Sequence, residues 1–173
     1  KTTTSTMAAH LIQQSHVGTA AFLGGISQNY GTNLLTTDKS DLVVIEADEF
    51  DRSFHWLSPY MAVITSCDPD HLDIYGDIGH VHEAFRAFAS QVSGTLIVKT
   101  GLPIAAGDTH AKLLHYSFDN PVSDFYASNL IRDEKGHFTF DLNHPGGVLR
   151  KCRCGVPGWV NVENAVAAMA IAQ

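Results

Sequence analysis

Apolar side chains recur along this chain in two rhythms, and the change from one to the other outlines its architecture. Residues 3–15, "TTSTMAAHLIQQS", set Met7, Ala8, Leu11 and Ile12 at helical spacing, and Gly18 follows as a stop signal. The spacing predicts a helix that starts within a residue or two of Lys1. Four short runs rich in β-branched residues come next: "TAAFLGG" (19–25), "DLVVIEA" (41–47), "MAVITSC" (61–67) and "GTLIVK" (94–99). Their continuous apolar character predicts strands buried on both faces. Between the last two, "GHVHEAFRAFASQV" (79–92) carries Val81, Phe85, Phe88 and Val92 at helical spacing. A strand, a helix and a strand in that order predict an α/β fold with a mostly parallel sheet flanked by helices.

From about residue 112 the rhythm changes to alternation. "KLLHYSF", "DFYASNLIRD", "GHFTFDL" and "GVLRKCRC" are strand-like and are joined by turn signals such as "DEKG" and "NHPGG", which predicts a small antiparallel β subdomain within residues 112–155. The chain closes on "NVENAVAAMAIAQ", an alanine-rich helix with its N-cap region in "PGWVN". Trp56, in "SFHWL", is expected to anchor the core.

At 173 residues, 45% of them apolar, the chain supports one well-buried core, and it contains no apolar run of membrane-spanning length. A net charge of −7 with eleven scattered Lys and Arg argues against a nucleic-acid surface. Cys67, Cys152 and Cys154 lack metal-type spacing and predict reduced thiols in a cytoplasmic protein. The acids are concentrated: ten of the eighteen are Asp38, Asp41, Glu46, Asp48, Glu49, Asp51, Asp68, Asp70, Asp73 and Asp77. Such crowding repels unless solvent or a cation screens it, so the stretch is either a solvated rim or a metal site.

Ligands of open parallel sheets bind beyond the carboxyl ends of the strands. Glu46 falls at one such end, and "DPDHLD", with His71, follows another. "KTTT" at a helix start is either a solvated terminus or the second half of a phosphate-binding loop, where helix N–H groups and the dipole favour phosphate. Taken together, lysine, hydroxyls, carboxylates and one imidazole suit magnesium and a nucleotide triphosphate.

"KTTT", "FLGG", "VIEADEFDRSF", "ITSCDPDHLDIYGD" and "VPGWVNVENAVAAMAIA" follow one another in the order and spacing of the central ATP-binding domain of the Mur ligases, which the chain resembles over nearly its whole length (1–173). Within that family, "EADEFDRSF" followed by "DHLDIYGD" is most similar to the branch that joins L-alanine to UDP-N-acetylmuramate. The resemblance implies an ATP- and Mg2+-dependent amide-bond-forming ligase of peptidoglycan synthesis, acting through an acyl phosphate. It also implies site roles. Lys1 contacts the β- and γ-phosphates, Thr2 supplies a magnesium-binding hydroxyl, and Thr3 adds a phosphate contact. Glu46 binds magnesium, and His71 stands near a second metal. Asn164 and Asn161 contact adenine, and Gly24 and Gly25 border the muramate substrate. By the same resemblance the phosphate loop is cut just before Lys1, an N-terminal uridine-nucleotide domain and a C-terminal domain are missing partners, and the fragment alone is expected to be inactive, with Lys1 mobile.

Two departures stand out. Trp159 and Val160 occupy positions where the family commonly has a basic residue and His, and no lysine lies between His71 and Lys99 to serve as a carbamylated metal bridge. Rival readings are a recycling ligase that attaches a tripeptide to the same muramate substrate, a non-catalytic nucleotide-binding module, and an unrelated metal hydrolase built on His71 and the acids.

Overall fold

The computed structural model describes residues 1–50, 52–68 and 77–173, which form two compact units: residues 1–46 with 117–173, and residues 47–116. In the first unit, helix α1 (Thr2–Gln14) leads into strand β1 (Ala20–Ser27), β2 (Thr32–Leu35) and β3 (Val43–Ile45). These form a three-stranded sheet of order β2-β1-β3, antiparallel between β1 and β2 and parallel between β1 and β3. The β2 hairpin arm carries no signal strong enough to separate it from a loop, and sequence reading did not find it.

α1 packs on this sheet through Ala9, which shares a buried cluster with Ala21, Leu23 and Leu35; Thr4, Ala8 and Ile12 of the same helix are buried as well. Leu11, expected in the buried stripe, is exposed instead. The other face of the sheet is also open: Phe22, Leu34, Val43 and Ile45 are all exposed. Burial on both faces therefore fails for β1 and β3, because a continuous apolar run records strand character but not whether a second layer covers it.

The second unit meets that expectation fully in its central strand. Strands β4 (Met61–Ile64), β5 (Thr95–Lys99) and β6 (Lys112–Tyr116) are parallel throughout, in the order β4-β5-β6, and Leu96, Ile97 and Val98 of β5 are buried. The run from Lys112, expected to open the antiparallel part, is thus the third strand of a parallel sheet. Its backbone carbonyl at Tyr116 also accepts from Thr100 N–H at 2.8 Å. Helix α2 (Ile78–Ser90) begins at Asp77, whose carboxylate accepts from His80 N–H, and buries Val81, Ala84, Phe88 and Ala89. Phe54 is the aromatic anchor of this core: it is buried, lies against Phe88 at 5.1 Å and meets Phe85 edge-on at 5.4 Å. Trp56 is 89% exposed, contrary to expectation, because the 3₁₀ turn Ser53–Trp56 directs Phe54 inward and Trp56 outward. Gly94 cannot carry a side chain, since a Cβ there would fall 2.7 Å from the Tyr60 carbonyl oxygen.

The chain returns to the first unit for the antiparallel sheet β7 (Tyr126–Arg132), β8 (Phe138–His144) and β9 (Gly147–Arg153), and ends in helix α3 (Trp159–Ile171). α3 packs on α1, β7 and β8. Parallel pairing at three of the strand pairs and helices on the sheets bear out the α/β class, with the antiparallel portion starting at Tyr126. No helix among the described residues is long and apolar enough to cross a membrane.

One carboxylate shapes the antiparallel sheet. Asp141, buried on β8, accepts from Asn129 Nδ2 at 2.9 Å and from Lys151 N–H at 2.8 Å. Asn129 and Lys151 are both in the left-handed region (φ 52° and 58°), at the register shifts of β7 and β9. Those hydrogen bonds, the Asn129 side chain first, hold the Asp141 carboxyl below its ordinary 3.8. A depressed carboxyl pKa contributes stability at neutral pH that fades as pH falls through the folded-state value. Asp141→Asn should therefore lower the melting temperature at pH 7, with the gap to wild type closing as the pH is taken below 3.8; a pH-independent gap would show that ionisation plays no part.

Candidate functional site

Helix α1 starts at Lys1, whose carbonyl accepts the first helical bond, from Ser5 N–H at 3.0 Å. The N–H groups of the first turn, Thr2 and Thr3 among them, then have no helical acceptor, and the positive end of the dipole sits there. Thr2 and Thr3 are exposed. The sequence-predicted residues Lys1, Thr2 and Thr3 thus share one helix terminus.

Glu46 reaches the same terminus from the sheet. It follows β3, and its N–H donates to Phe22 O at 3.0 Å, extending the parallel ladder to β1 by one step. Its carboxylate is held on three sides. Thr2 Oγ1 donates to Oε1 at 2.8 Å, while Oε2 accepts from Ser5 Oγ and from Gly24 N–H, each at 2.9 Å. Burial alone pushes the Glu46 carboxyl up, but the bonds from Thr2, Gly24 and Ser5 outweigh it, and the group ends below its ordinary 4.5. It is an anion at neutral pH, seated where the helix dipole favours one.

Gly24 lies against this carboxylate and Gly25 against Thr2. They lie where β1 breaks register with β2, between Phe22 and Ser27. A Cβ on Gly24 would stand 2.5 Å from Glu46 Oε1, and one on Gly25 would touch Thr2 Cγ2 at 3.4 Å. The absence of a side chain at position 24 is what lets its N–H approach the carboxylate.

A second chain of bonds ties α1 to α3. Thr4, buried, donates through Oγ1 to Asn164 Oδ1 at 3.0 Å; Asn164 Nδ2 donates to Asn161 Oδ1 at 3.1 Å; and Asn161 Nδ2 donates to Pro157 O at 2.8 Å. Both asparagines therefore already serve the packing of the two helices, and Asn164 keeps a single N–H to offer elsewhere. Gly158, at φ 99°, makes the left-handed entry into α3. Trp159 follows, 61% exposed, edge-on to Phe118 at 5.9 Å.

His71, with Asp70 and Asp73, lies outside the described residues, as does Asp51. Asp68 is described and follows the carboxyl end of β4, as expected. Cys67 is buried, and burial pushes its thiol up to about 12, so it is an inert core side chain; all three cysteines are free. Among the described residues no group of three or more His, Cys, Asp or Glu could hold a metal ion. Magnesium does not require such a cage, since it keeps water and phosphate in its shell and uses one or two protein oxygens.

The donor set fits magnesium in that sparing mode. Adjacent ligands on an octahedron with bonds of ~2.0–2.1 Å lie roughly 2.9 Å apart, and Thr2 Oγ1 and Glu46 Oε1 are 2.8 Å apart. A hydroxyl and a hard carboxylate oxygen at that spacing, beside a helix terminus suited to phosphate, match two adjacent positions of an octahedral shell.

Comparison with known proteins gives the family of the domain. Residues 1–172 match the Mur ligase middle domain. The chain belongs to the Mur ligase family. Two relatives named UDP-N-acetylmuramate–L-alanine ligase, from Porphyromonas gingivalis and Phocaeicola vulgatus, are each 55% identical to it, over 99% and 100% of the chain. The chain spans 38% of the length of each. Among solved structures, a UDP-N-acetylmuramate–alanine ligase from Thermotoga maritima superposes with a TM-score of 0.80 at 23% identity, over 99% of this chain and 38% of its own. A UDP-N-acetylmuramate:L-alanyl-γ-D-glutamyl-meso-diaminopimelate ligase from Neisseria meningitides gives 0.81 at 22% identity, over 99% and 57%. At those identities the two structures attest the Mur ligase fold of the domain.

Sequence reading missed Ser5 and Thr4. Both are hydroxyls inside a helix, and only their direction, toward Glu46 and toward Asn164, distinguishes them from surface residues. Gly24→Ala checks the carboxylate clamp. Because the atoms it meets are the end of the Glu46 side chain rather than backbone, the chain should still fold, at a lowered melting temperature, while the Glu46 carboxyl, followed by NMR, titrates higher than in wild type. An unaltered titration would contradict the role given to Gly24.

Proposed function

We propose that this Mur ligase middle domain is the nucleotide-handling part of a cytoplasmic ligase that joins L-alanine to UDP-N-acetylmuramate at the expense of ATP. The names of its 55%-identical relatives support the substrates. The observation that carries the mechanism is the Thr2–Glu46 oxygen pair, held at the start of α1 by Ser5 and Gly24.

In this reading a carboxylate oxygen of the muramate substrate attacks the γ-phosphorus of ATP. ADP leaves, and the amine of L-alanine then displaces phosphate from the acyl carbon. Phosphoryl transfer demands charge neutralisation and alignment more than covalent help from the protein. The Lys1 ammonium and the first-turn N–H groups of α1 bind the phosphate oxygens, with Thr3 as a further donor. Thr2 Oγ1 and Glu46 Oε1 would hold Mg2+, which would supply positive charge to offset that of the nucleotide phosphates. Gly24 and Gly25 are assigned to the border of the muramate substrate by the family resemblance.

Asn164, through its remaining N–H, and Asn161 are assigned to the adenine end. The exposed Trp159 indole takes the place of the family's histidine as a flat surface for the base. His71 is assigned to a second metal position by the family resemblance alone.

The test is phosphate release by the full-length ligase supplied with ATP, Mg2+ and UDP-N-acetylmuramate. Turnover with L-alanine supports the reading; turnover only with the tripeptide L-alanyl-γ-D-glutamyl-diaminopimelate would make it a recycling ligase, and none with either a non-catalytic module. Glu46→Ala should slow L-alanine turnover by about 10²–10³-fold, the usual scale for removing one positioned electrostatic group, while the protein remains folded by circular dichroism. A fully active variant would remove Glu46 from the metal site.

A further inference from the structure

We infer that Ser5 is a positioning residue for the metal site: its hydroxyl, with Gly24 N–H, saturates Glu46 Oε2 and so leaves Oε1 as the oxygen presented to a cation beside Thr2. This rests on the proposed role of Glu46 and goes further, because Ser5 touches neither nucleotide nor metal in that reading.

The two carboxylate oxygens are not equivalent. Oε2 accepts two bonds, from Ser5 Oγ and Gly24 N–H at 2.9 Å each, and both donors belong to regular elements, helix α1 and strand β1. Oε1 accepts one bond among the described residues, from Thr2 Oγ1, and Thr2 is exposed. A ligand arriving at the helix terminus therefore meets Oε1 and Thr2, with the anchored oxygen behind.

Ser5 has a choice of acceptors. Its hydroxyl also lies 3.1 Å from Thr2 O and 3.3 Å from Lys1 O, the back-bonding positions open to any helical serine. One hydroxyl carries one proton, so it donates to one acceptor at a time. The carboxylate is the nearest of the three, and bonds to an ionised acceptor are about twice as strong as neutral ones. The proton accordingly goes to Glu46. Partners in this outer position tune metal affinity by fixing the orientation of the ligand they hold, and their loss typically costs roughly ten- to a hundredfold in metal affinity or activity.

The experiment is Mn2+ binding to the full-length ligase in the presence of a non-hydrolysable ATP analogue, read from the free-ion electron paramagnetic resonance signal. Ser5→Ala, which favours the helix, should weaken Mn2+ binding roughly tenfold or more while leaving the melting temperature and metal-free binding of the analogue unchanged. Ser5→Thr, which keeps the hydroxyl, should restore it. Wild-type Mn2+ affinity in a folded Ser5→Ala protein would overturn the inference, as would equal weakening by Ser5→Ala and Ser5→Thr. Glu46→Ala run in parallel separates the two levels. If it abolishes Mn2+ binding while Ser5→Ala does not alter it, only the role of Ser5 falls; if it too binds normally, the metal assignment itself fails.

Discussion

The Glu46 carboxylate is the point on which the first unit of this domain turns. Three donors from two elements meet there: Thr2 and Ser5 from the start of α1, and the Gly24 N–H from a strand that has slipped its register. A half-buried carboxylate without partners is costly, and each bond returns part of that cost. The helix dipole adds a favourable field. Satisfying one anion thus fixes where the helix begins relative to the sheet, and it does so with oxygens at the spacing a small hard cation needs. The same arrangement explains why position 24 has no side chain: the carboxylate occupies the volume that a Cβ would claim.

From this point order spreads along α1. Thr4, one residue before Ser5 and so about 100° round the helix, donates to Asn164, which passes the constraint through Asn161 to the backbone at Pro157. Successive residues of one helical turn therefore tie two separate loops to a common frame. Alanines at the buried faces of α1 and α3 let the helices pack without bulky intervening side chains. The antiparallel sheet is organised on a similar principle, since buried Asp141 fixes two left-handed bulge residues by accepting from both. In each case a single acidic side chain, fully partnered, sets backbone that apolar packing alone leaves undetermined.

Much of this was legible in the sequence. The helical rhythm located α1 and α2 to within a residue or two, the β-branched runs marked β1, β3, β4 and β5, and "DEKG" turned as expected around Asp133, whose carboxylate takes the Lys135 and His137 N–H groups. Residue chemistry at strand and helix ends puts Thr2 and Glu46 on one sheet edge, and the structure joins them by a hydrogen bond. Periodicity reports which face of an element is apolar, not what covers it, so the exposed Phe22, Val43 and Ile45 were misread as doubly buried. Nor does it report the partner of a strand, so Lys112–Tyr116 was assigned to the wrong sheet. Trp56 and Phe54 are equally apolar by composition, and only the 3₁₀ turn separates them. Ser5 was silent because a serine within a helix has no distinctive pattern; its meaning is entirely in the carboxylate across from it.

The central claim is that Thr2 Oγ1 and Glu46 Oε1 together form the protein's share of a magnesium shell. The most direct measurement is a crystal structure of the full-length ligase with Mn2+ and a non-hydrolysable ATP analogue, the ion located by its anomalous scattering. The prediction is an ion bonded to both oxygens and to the analogue's phosphates, with Ser5 and Gly24 still donating to Oε2. An ion bound elsewhere, with the Thr2–Glu46 hydrogen bond intact beside the nucleotide, would contradict it.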